Sequence, residues 1–381
     1  MKILITTDLY TVQTNGVVTS VRNLCDELSA RGHDVRILTL SDTMRSRKRG
    51  NEYFIRSLPI GVVYPGVRMP TSFHHRLIRE LIAWKPDVIH SQCEFFSFQF
   101  AKYISERTGA PIVHTYHTLY EQYVGYLFPS RRLGRFVVRA ASRRRLKRVN
   151  RVIAPTPKVE SALRSYKISK GISVVPSGIS LEQHKLRLSA AERLEKRRRL
   201  GIADDAVVLL NLGRLGTEKN LDELLELFAL AKAKNDSLVF LIVGDGPARE
   251  ELEALAREKG ITDSVIFTGK VPPAEVQDYY QLGDIFINAS TSETQGLTYI
   301  EAAANGLPLI CRKDPCLENV LVHAENGFAY TTPEEFVEYV LFAAGDERWR
   351  SSASKHSEAI AARFDKSRFG EAIESIYESV C

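Results

Sequence analysis

The chain has 381 residues, 44% of them hydrophobic, enough for two domains of ordinary size with a core each. Its 23 glycines and 15 prolines exclude a collagen-like or low-complexity chain, and no apolar run approaches the roughly 18 residues of a membrane span. The net charge of +6 is uneven: residues 1–170 carry 29 Lys and Arg against 12 Asp and Glu, a net +17, and the remainder 23 against 34, a net −11, so the first half suits a polyanion or an anionic surface.

The opening "MKILITTD" reads as a buried strand ending at Asp8, not as a secretory leader. "QTNGVVTSV" then places Asn15–Gly16 between that strand and a helix in "TSVRNLCDELSARGH", where Val21, Leu24 and Leu28 recur at helix spacing and Gly32 stops the run. This is no G-x-G-x-x-G fingerprint; Gly16 either presents its amide to a ligand or makes a plain turn. "DVRILTL", "PDVIHSQ", "APIVHTY" and "RVIAPT" continue as strands. His114 lies inside the third of these and reads as buried structure. His117 lies just past its end, where a ligand would sit. The run Tyr116, Tyr120, Tyr123, Tyr126 and Phe128 is either core or an apolar acceptor surface.

From Arg131 to Arg148 there are nine basic residues and no acid. Arg131, Arg135, Arg139 and Arg143 recur every four residues and share a helix face, with Arg132 and Arg144 beside them. Leu133, Phe136, Val137, Ala140 and Leu146 add apolar area. Such a helix reads as an anionic-membrane contact, in which each cation adds about 1 kcal/mol; the alternative is a solvated helix whose apolar side packs on the sheet. No nucleic-acid module surrounds it, so nucleic acid is not expected as a partner.

After a boundary near Pro176–Gly178, which divides the chain into 1–175 and 176–361, the alternation restarts. "VVLLNLGR", "LVFLIVGDG", "VIFTGKV", "DIFINAST" and "LPLICR" read as strands with helices between, and the last stretch, "FGEAIESIYESVC", as a helix. Two such blocks predict an α/β chain of two doubly wound, Rossmann-like domains facing across a cleft, with ligands beyond the carboxyl ends of the strands. In "LNLGRLGTEKN", Arg214 and Lys219 flank a strand-to-helix turn and suit a diphosphate; alternatively Lys219 pairs with Glu218 or Asp222 on a solvated loop. "LIVGDGP" reads as a tight turn. In "STSETQGLTYIEAAANG", Gly296 joins strand to helix, and the amides of Gly296, Leu297 and Thr298 form an anion site. Glu301 and Glu293 are placed to accept sugar hydroxyls. The alternative is a capping box, Thr298-x-x-Glu301, beside a surface acid. Cys25, Cys93, Cys311, Cys316 and Cys381 form no CxxC pair and no metal spacing, as expected of reduced thiols in a cytosolic protein.

Together, Glu293-x7-Glu301, Gly213–Arg214…Lys219 and His117 resemble the retaining GT-B glycosyltransferases of the large group 1 family, over nearly the whole chain. "QTNGVVTSV", "HSQCEFFSF", "VHTYHTLYEQYVGY", "STSETQGLTYIEAAANGLPLICRKDPCLENV" and "ENGFAY" are more similar still to its branch of bacterial 1,2-diacylglycerol 3-α-glucosyltransferases. Asn15–Gly16 and Thr294–Gln295 depart from the broad family, where a Gly pair and a Pro–Phe or Gly–Phe pair are common. The resemblance implies transfer of glucose from UDP-glucose to the 3-hydroxyl of diacylglycerol with retention, at the inner face of the cell membrane. It implies that Arg214 and Lys219 hold the diphosphate, with amides of Gly296, Leu297, Thr298 and Gly16. Glu301 would hold the ribose, Glu293 the transferred sugar, Lys270–Val271 the base, and His117 would line the reaction centre. A C-terminal helix, about 362–381, would pack back on the first domain. No tightly bound cofactor is implied, no DxD-type cluster stands out, and stimulation by Mg²⁺ is left open. The alternatives are another acceptor, phosphatidylinositol or a soluble sugar, and a non-enzymatic anionic-lipid-binding protein.

Overall fold

The computed structural model describes residues 1–8, 10, 15–60, 68–124, 130–168 and 171–381. They form two compact units, Met1–Gly178 with Lys366–Cys381, and Ile179–Asp365.

The first unit carries the strands β1 (Lys2–Thr7), β2 (Asp34–Leu40), β3 (Arg47–Arg49), β4 (Glu52–Ile55), β5 (Ser57–Pro59), β6 (Arg68–Pro70), β7 (Val88–Ser91), β8 (Ile112–Thr115), β9 (Arg151–Ala154) and β10 (Ile172–Val174). Its main sheet runs β10-β9-β8-β7-β1-β2-β4-β3, parallel except for β3, and β5 and β6 make a separate antiparallel pair. Strand β1 is buried at five of its six residues because helices cover both faces, which is why it reads as an unbroken apolar run. The order reverses between β1 and β7, so the segments that leave these two strands diverge and open a crevice at their carboxyl ends.

The second unit carries β11 (Val207–Leu212), β12 (Leu238–Val243), β13 (Val265–Phe267), β14 (Ile285–Asn288), β15 (Leu309–Arg312) and β16 (Gly327–Tyr330), all parallel in the order β13-β12-β11-β14-β15-β16. Alternate residues feed opposite cores. Leu209, Phe240, Ile242 and Ile287 join Leu224, Leu225 and Phe228 of the Leu221–Lys232 helix, while Val208, Leu210, Leu241 and Phe286 join Tyr299 and Ile300 of the Leu297–Ala304 helix. Here the order reverses between β11 and β14.

The Lys366–Glu378 helix belongs to the first unit. Phe369, Ile373 and Tyr377, spaced by four, bury one face against Val21, Leu24 and Leu28 of the Gly16–Ala30 helix. Tyr377 Oη lies 2.6 Å from His90 Nδ1 inside the sheet, and Glu374 takes Arg31 at 3.0 Å and His33 at 2.8 Å. Strands β3 to β6, β10 and β16 carry no strong sequence signal: each has three or four residues, and Arg47–Arg49 is exposed throughout.

Candidate functional site

In the second unit, the segments leaving β11, β12, β13 and β14 meet at one edge of the sheet. Gly244 follows β12 with φ +135°, and a Cβ there would lie 1.9 Å from the carbonyl oxygen of Gly213, so only glycine lets the two turns touch. The Gly244 amide donates to Gly269 O at 3.2 Å, which brings in the segment holding Lys270 and Val271. Across the switch point, the β11 and β14 segments are clamped together. Ser292 Oγ donates to Glu218 O at 3.0 Å, and Asn220 Nδ2 to Ala289 O at 3.1 Å.

That clamp brings together three of the predicted residues, Arg214, Lys219 and Glu293, with Glu218. Lys219 forms an ion pair with Glu293, and Arg214 one with Glu218. The Lys219–Glu293 pair reaches across to the segment after β14, outside the loop to which the solvated-loop alternative confines Lys219, whereas Arg214–Glu218 stays within that loop. Lys219 and Glu293 are half-buried and Arg214 is exposed, so the cations stand at the surface of the crevice. Gly296 caps the Leu297–Ala304 helix at φ +72°, with no side chain supplying the cap. A Cβ there would meet the Tyr299 ring at 2.4 Å. The capping-box alternative fails, because Thr298 lies inside the helix and Glu301 turns elsewhere. The Glu301 carboxylate accepts from Tyr280 Oη at 2.7 Å, and burial pushes its pKa up against the opposing effect of that bond. Tyr299 Oη and the Ser290 amide both bond Asn288 Oδ1, at 3.1 and 2.7 Å, setting the start of the turn that carries Glu293. Tyr280 and Asn288 are supporting residues that the sequence did not single out, and Glu218 was named only as an alternative partner of Lys219.

In the first unit, polar side chains gather at the carboxyl ends of β1, β7 and β8. His117 Nε2 lies 2.7 Å from Gln92 Oε1, and burial lowers the imidazole's pKa to about 4, with nearby Glu94 pulling the other way. Glu94 Oε2 accepts from Tyr120 Oη at 2.6 Å, and its Oε1 lies 3.5 Å from His114 Nε2. His114 is fully buried. Asp8, at the end of β1, accepts from the Ser97 amide at 2.8 Å, and burial raises its pKa to about 6. Gly16 begins its helix at the surface, beside Asn15, whose Oδ1 caps it by accepting from Val18 N at 2.9 Å. Tyr126 and Phe128 of the aromatic run, and the Gln13 and Thr14 that precede Asn15, lie outside the described residues. Gln92 and Glu94 were not singled out either, although "HSQCEFFSF" carried part of the resemblance; their local signal was a polar cluster, "SQCE", directly after an apolar strand.

The basic segment is a helix, Arg131–Leu146, capped by Ser130. Leu133, Phe136 and Val137 are 56, 67 and 40% exposed, so its first turns do not turn an apolar side to the sheet. Arg131, Arg132, Arg135 and Arg144 are exposed as well, Arg143 is half-buried, and Arg139 pairs with Glu121. Among the described residues, no helix is long and apolar enough to cross a membrane, and no cluster of three His, Cys, Asp or Glu could hold a metal ion.

Two doubly wound units of this kind make up the GT-B fold. The fold matches the Anabaena protein Alr3699/HepE, solved with UDP and glucose, at a TM-score of 0.78 with 18% identity and all of both chains covered. It also matches sucrose-phosphate synthase from Thermosynechococcus elongatus at 0.77, with 21% identity over 99% of this chain and 98% of that one. The family "Glycosyl transferases group 1" matches residues 192–360, and "Glycosyltransferase Family 4" residues 14–183. Alpha-monoglucosyldiacylglycerol synthase of Streptococcus pneumoniae is 34% identical, over 96% of this chain and 84% of that protein. The protein of the same name from Acholeplasma laidlawii is 31% identical, over 99% and 96%. The chain belongs to the group 1 glycosyltransferases and is a hexosyltransferase.

Proposed function

We propose that the protein transfers glucose from UDP-glucose to the 3-hydroxyl of 1,2-diacylglycerol, with retention, at the inner surface of an anionic membrane. The observation that carries this reading is near-full-length identity, 34% and 31%, to two proteins named as monoglucosyldiacylglycerol synthases.

In this reading Arg214 and Lys219 hold the donor diphosphate, as a fork and a point charge. The amides of Gly296, Leu297 and Thr298 add hydrogen bonds at the helix start, with that of Gly16. Glu301 takes the ribose hydroxyls, Glu293 those of the glucose, and the Lys270–Val271 backbone the base. His117 contacts the transferred sugar. The glycosidic C1–O bond to phosphate breaks as the acceptor oxygen bonds C1 on the same face. The acceptor's proton passes to the departing phosphate, whose charge Arg214 and Lys219 stabilise. The ion pairs Lys219–Glu293 and Arg214–Glu218 are supporting geometry: carboxylates keep both cations at the crevice, and a diphosphate has the charge to draw them away. The exposed Leu133, Phe136 and Val137 among exposed arginines support reversible docking on anionic lipid through Arg131, Arg132, Arg135, Arg139, Arg143 and Arg144.

The test is radiolabelled UDP-glucose with diacylglycerol in anionic vesicles. The expected product is a monoglucosyl lipid. Glucosylation of phosphatidylinositol or of a soluble sugar instead would overturn the acceptor assignment, and absence of any transfer the donor.

A further inference from the structure

The turn that follows β7 contains two buried polar side chains, Gln92 and Glu94, 2 and 4% exposed. The proposed transfer uses neither. Buried polar groups cost stability unless they are bonded, so their partners carry information. Both partners lie on one segment: Gln92 meets His117, and Glu94 meets Tyr120, three residues further on. On the assignment of His117 to the transfer site, we propose that Gln92 and Glu94 are positioning residues. Gln92 fixes the Nε2–H tautomer of His117, and Glu94 pins the same segment through Tyr120.

The chemistry follows from the groups. The Gln92 atom facing the ring is the amide oxygen, which only accepts. The proton must then sit on Nε2, which makes Nδ1 the accepting nitrogen of the ring. A neutral carbonyl stabilises an imidazolium less than a carboxylate would, so Gln92 sets the tautomer without adding a charge that would hold the ring protonated. The surrounding ionisable groups act in both directions. Glu94, from the same turn, favours the protonated ring; His114 on β8 opposes it, and His90 within β7 is coupled to His117 by like charge. Asp8, at the end of β1, faces Glu94 and couples to it. Burial outweighs the attraction of Glu94, and the ring stays neutral at physiological pH.

Selective ¹⁵N-histidine labelling of the full chain reads the tautomer directly, with His117→Asn assigning the signal. The expected result is an Nε2–H ring that does not titrate between about pH 5.5 and 8. In Gln92→Glu the new carboxylate raises the His117 midpoint by about 1 to 3 pH units, and kcat/KM then falls as pH drops through that midpoint. Gln92→Met, which keeps the length and removes the acceptor, yields a mixture of tautomers. A purely structural Gln92 would lower activity without moving either the tautomer or the pH profile. An Nδ1–H ring in the wild-type protein, or a midpoint unmoved in Gln92→Glu, overturns the proposal, and the wild-type measurement stands even if a variant fails to fold. Full activity in His117→Asn with an Nε2–H wild-type ring would instead remove His117 from the transfer site and leave the tautomer assignment intact.

Discussion

Lys219 and Glu293 lie 74 residues apart in sequence and form one ion pair across the switch point. On the proposed roles, Lys219→Ala removes a point charge for the diphosphate, and Glu293→Ala removes both its ion pair with Lys219 and the contact to the sugar. Each is expected to lower kcat/KM for UDP-glucose by about 100-fold or more, the usual loss for one group that stabilises developing charge. Circular dichroism should show both variants folded; wild-type turnover in either would take that residue out of the site. Asp8 belongs to stability. Its native carboxyl holds the proton to about pH 6, whereas the unfolded chain releases it near 3.8. Between these values the native state binds more protons, so stability falls as pH rises, by up to about 3 kcal/mol, and the loss persists above pH 6. Asp8→Asn should therefore raise the melting temperature at pH 7.5 and have little effect at pH 4. An equal gain at both pH values would contradict the assignment.

At the scale of elements, the turns decide most. Gly244→Ala drives a methyl group into the Gly213 carbonyl, and backbone cannot rotate away as a side chain would. A loss above about 3 kcal/mol is expected in urea unfolding, with weakened UDP binding because the β11 turn must shift. The Arg131–Leu146 helix makes a different kind of prediction. Changing its arginines to glutamine should lower flotation on anionic vesicles and abolish its salt dependence, whereas Phe136→Ser should weaken flotation on neutral and anionic vesicles alike. Undiminished flotation in both would rule out this helix as the contact. The helices and most long strands were legible because an apolar period or run of six residues leaves little choice. The three-residue strands β3, β5 and β6 were not, because their residues are largely polar or exposed and pairing with neighbours makes them strands; β4 is buried at three of its four residues but too short to show a period.

At the scale of the whole molecule, the C-terminal helix ties a distant segment to the first sheet. Tyr377 bonds His90, 287 residues earlier in the chain, and His90 Nε2 lies 2.7 Å from Thr115, two residues before His117. Tyr377→Phe leaves a buried imidazole nitrogen without its partner. A loss of about 1 to 2 kcal/mol is expected by denaturant titration, with a slower exchange-protected core lost around β7 and β8; unchanged stability would mean that packing alone holds the helix. By itself the sequence determined the α/β class, the two blocks of alternation, the basic helix and the candidate cations and acids, since these depend on local period, composition and charge. Only the tertiary structure decided which acid meets which cation, that Gly296 and not Thr298 caps the helix, and that Gln92 and Glu94 meet His117 and Tyr120. Those choices depend on the order of strands in the sheet, which brings together turns separated by many residues and leaves no local trace in the chain.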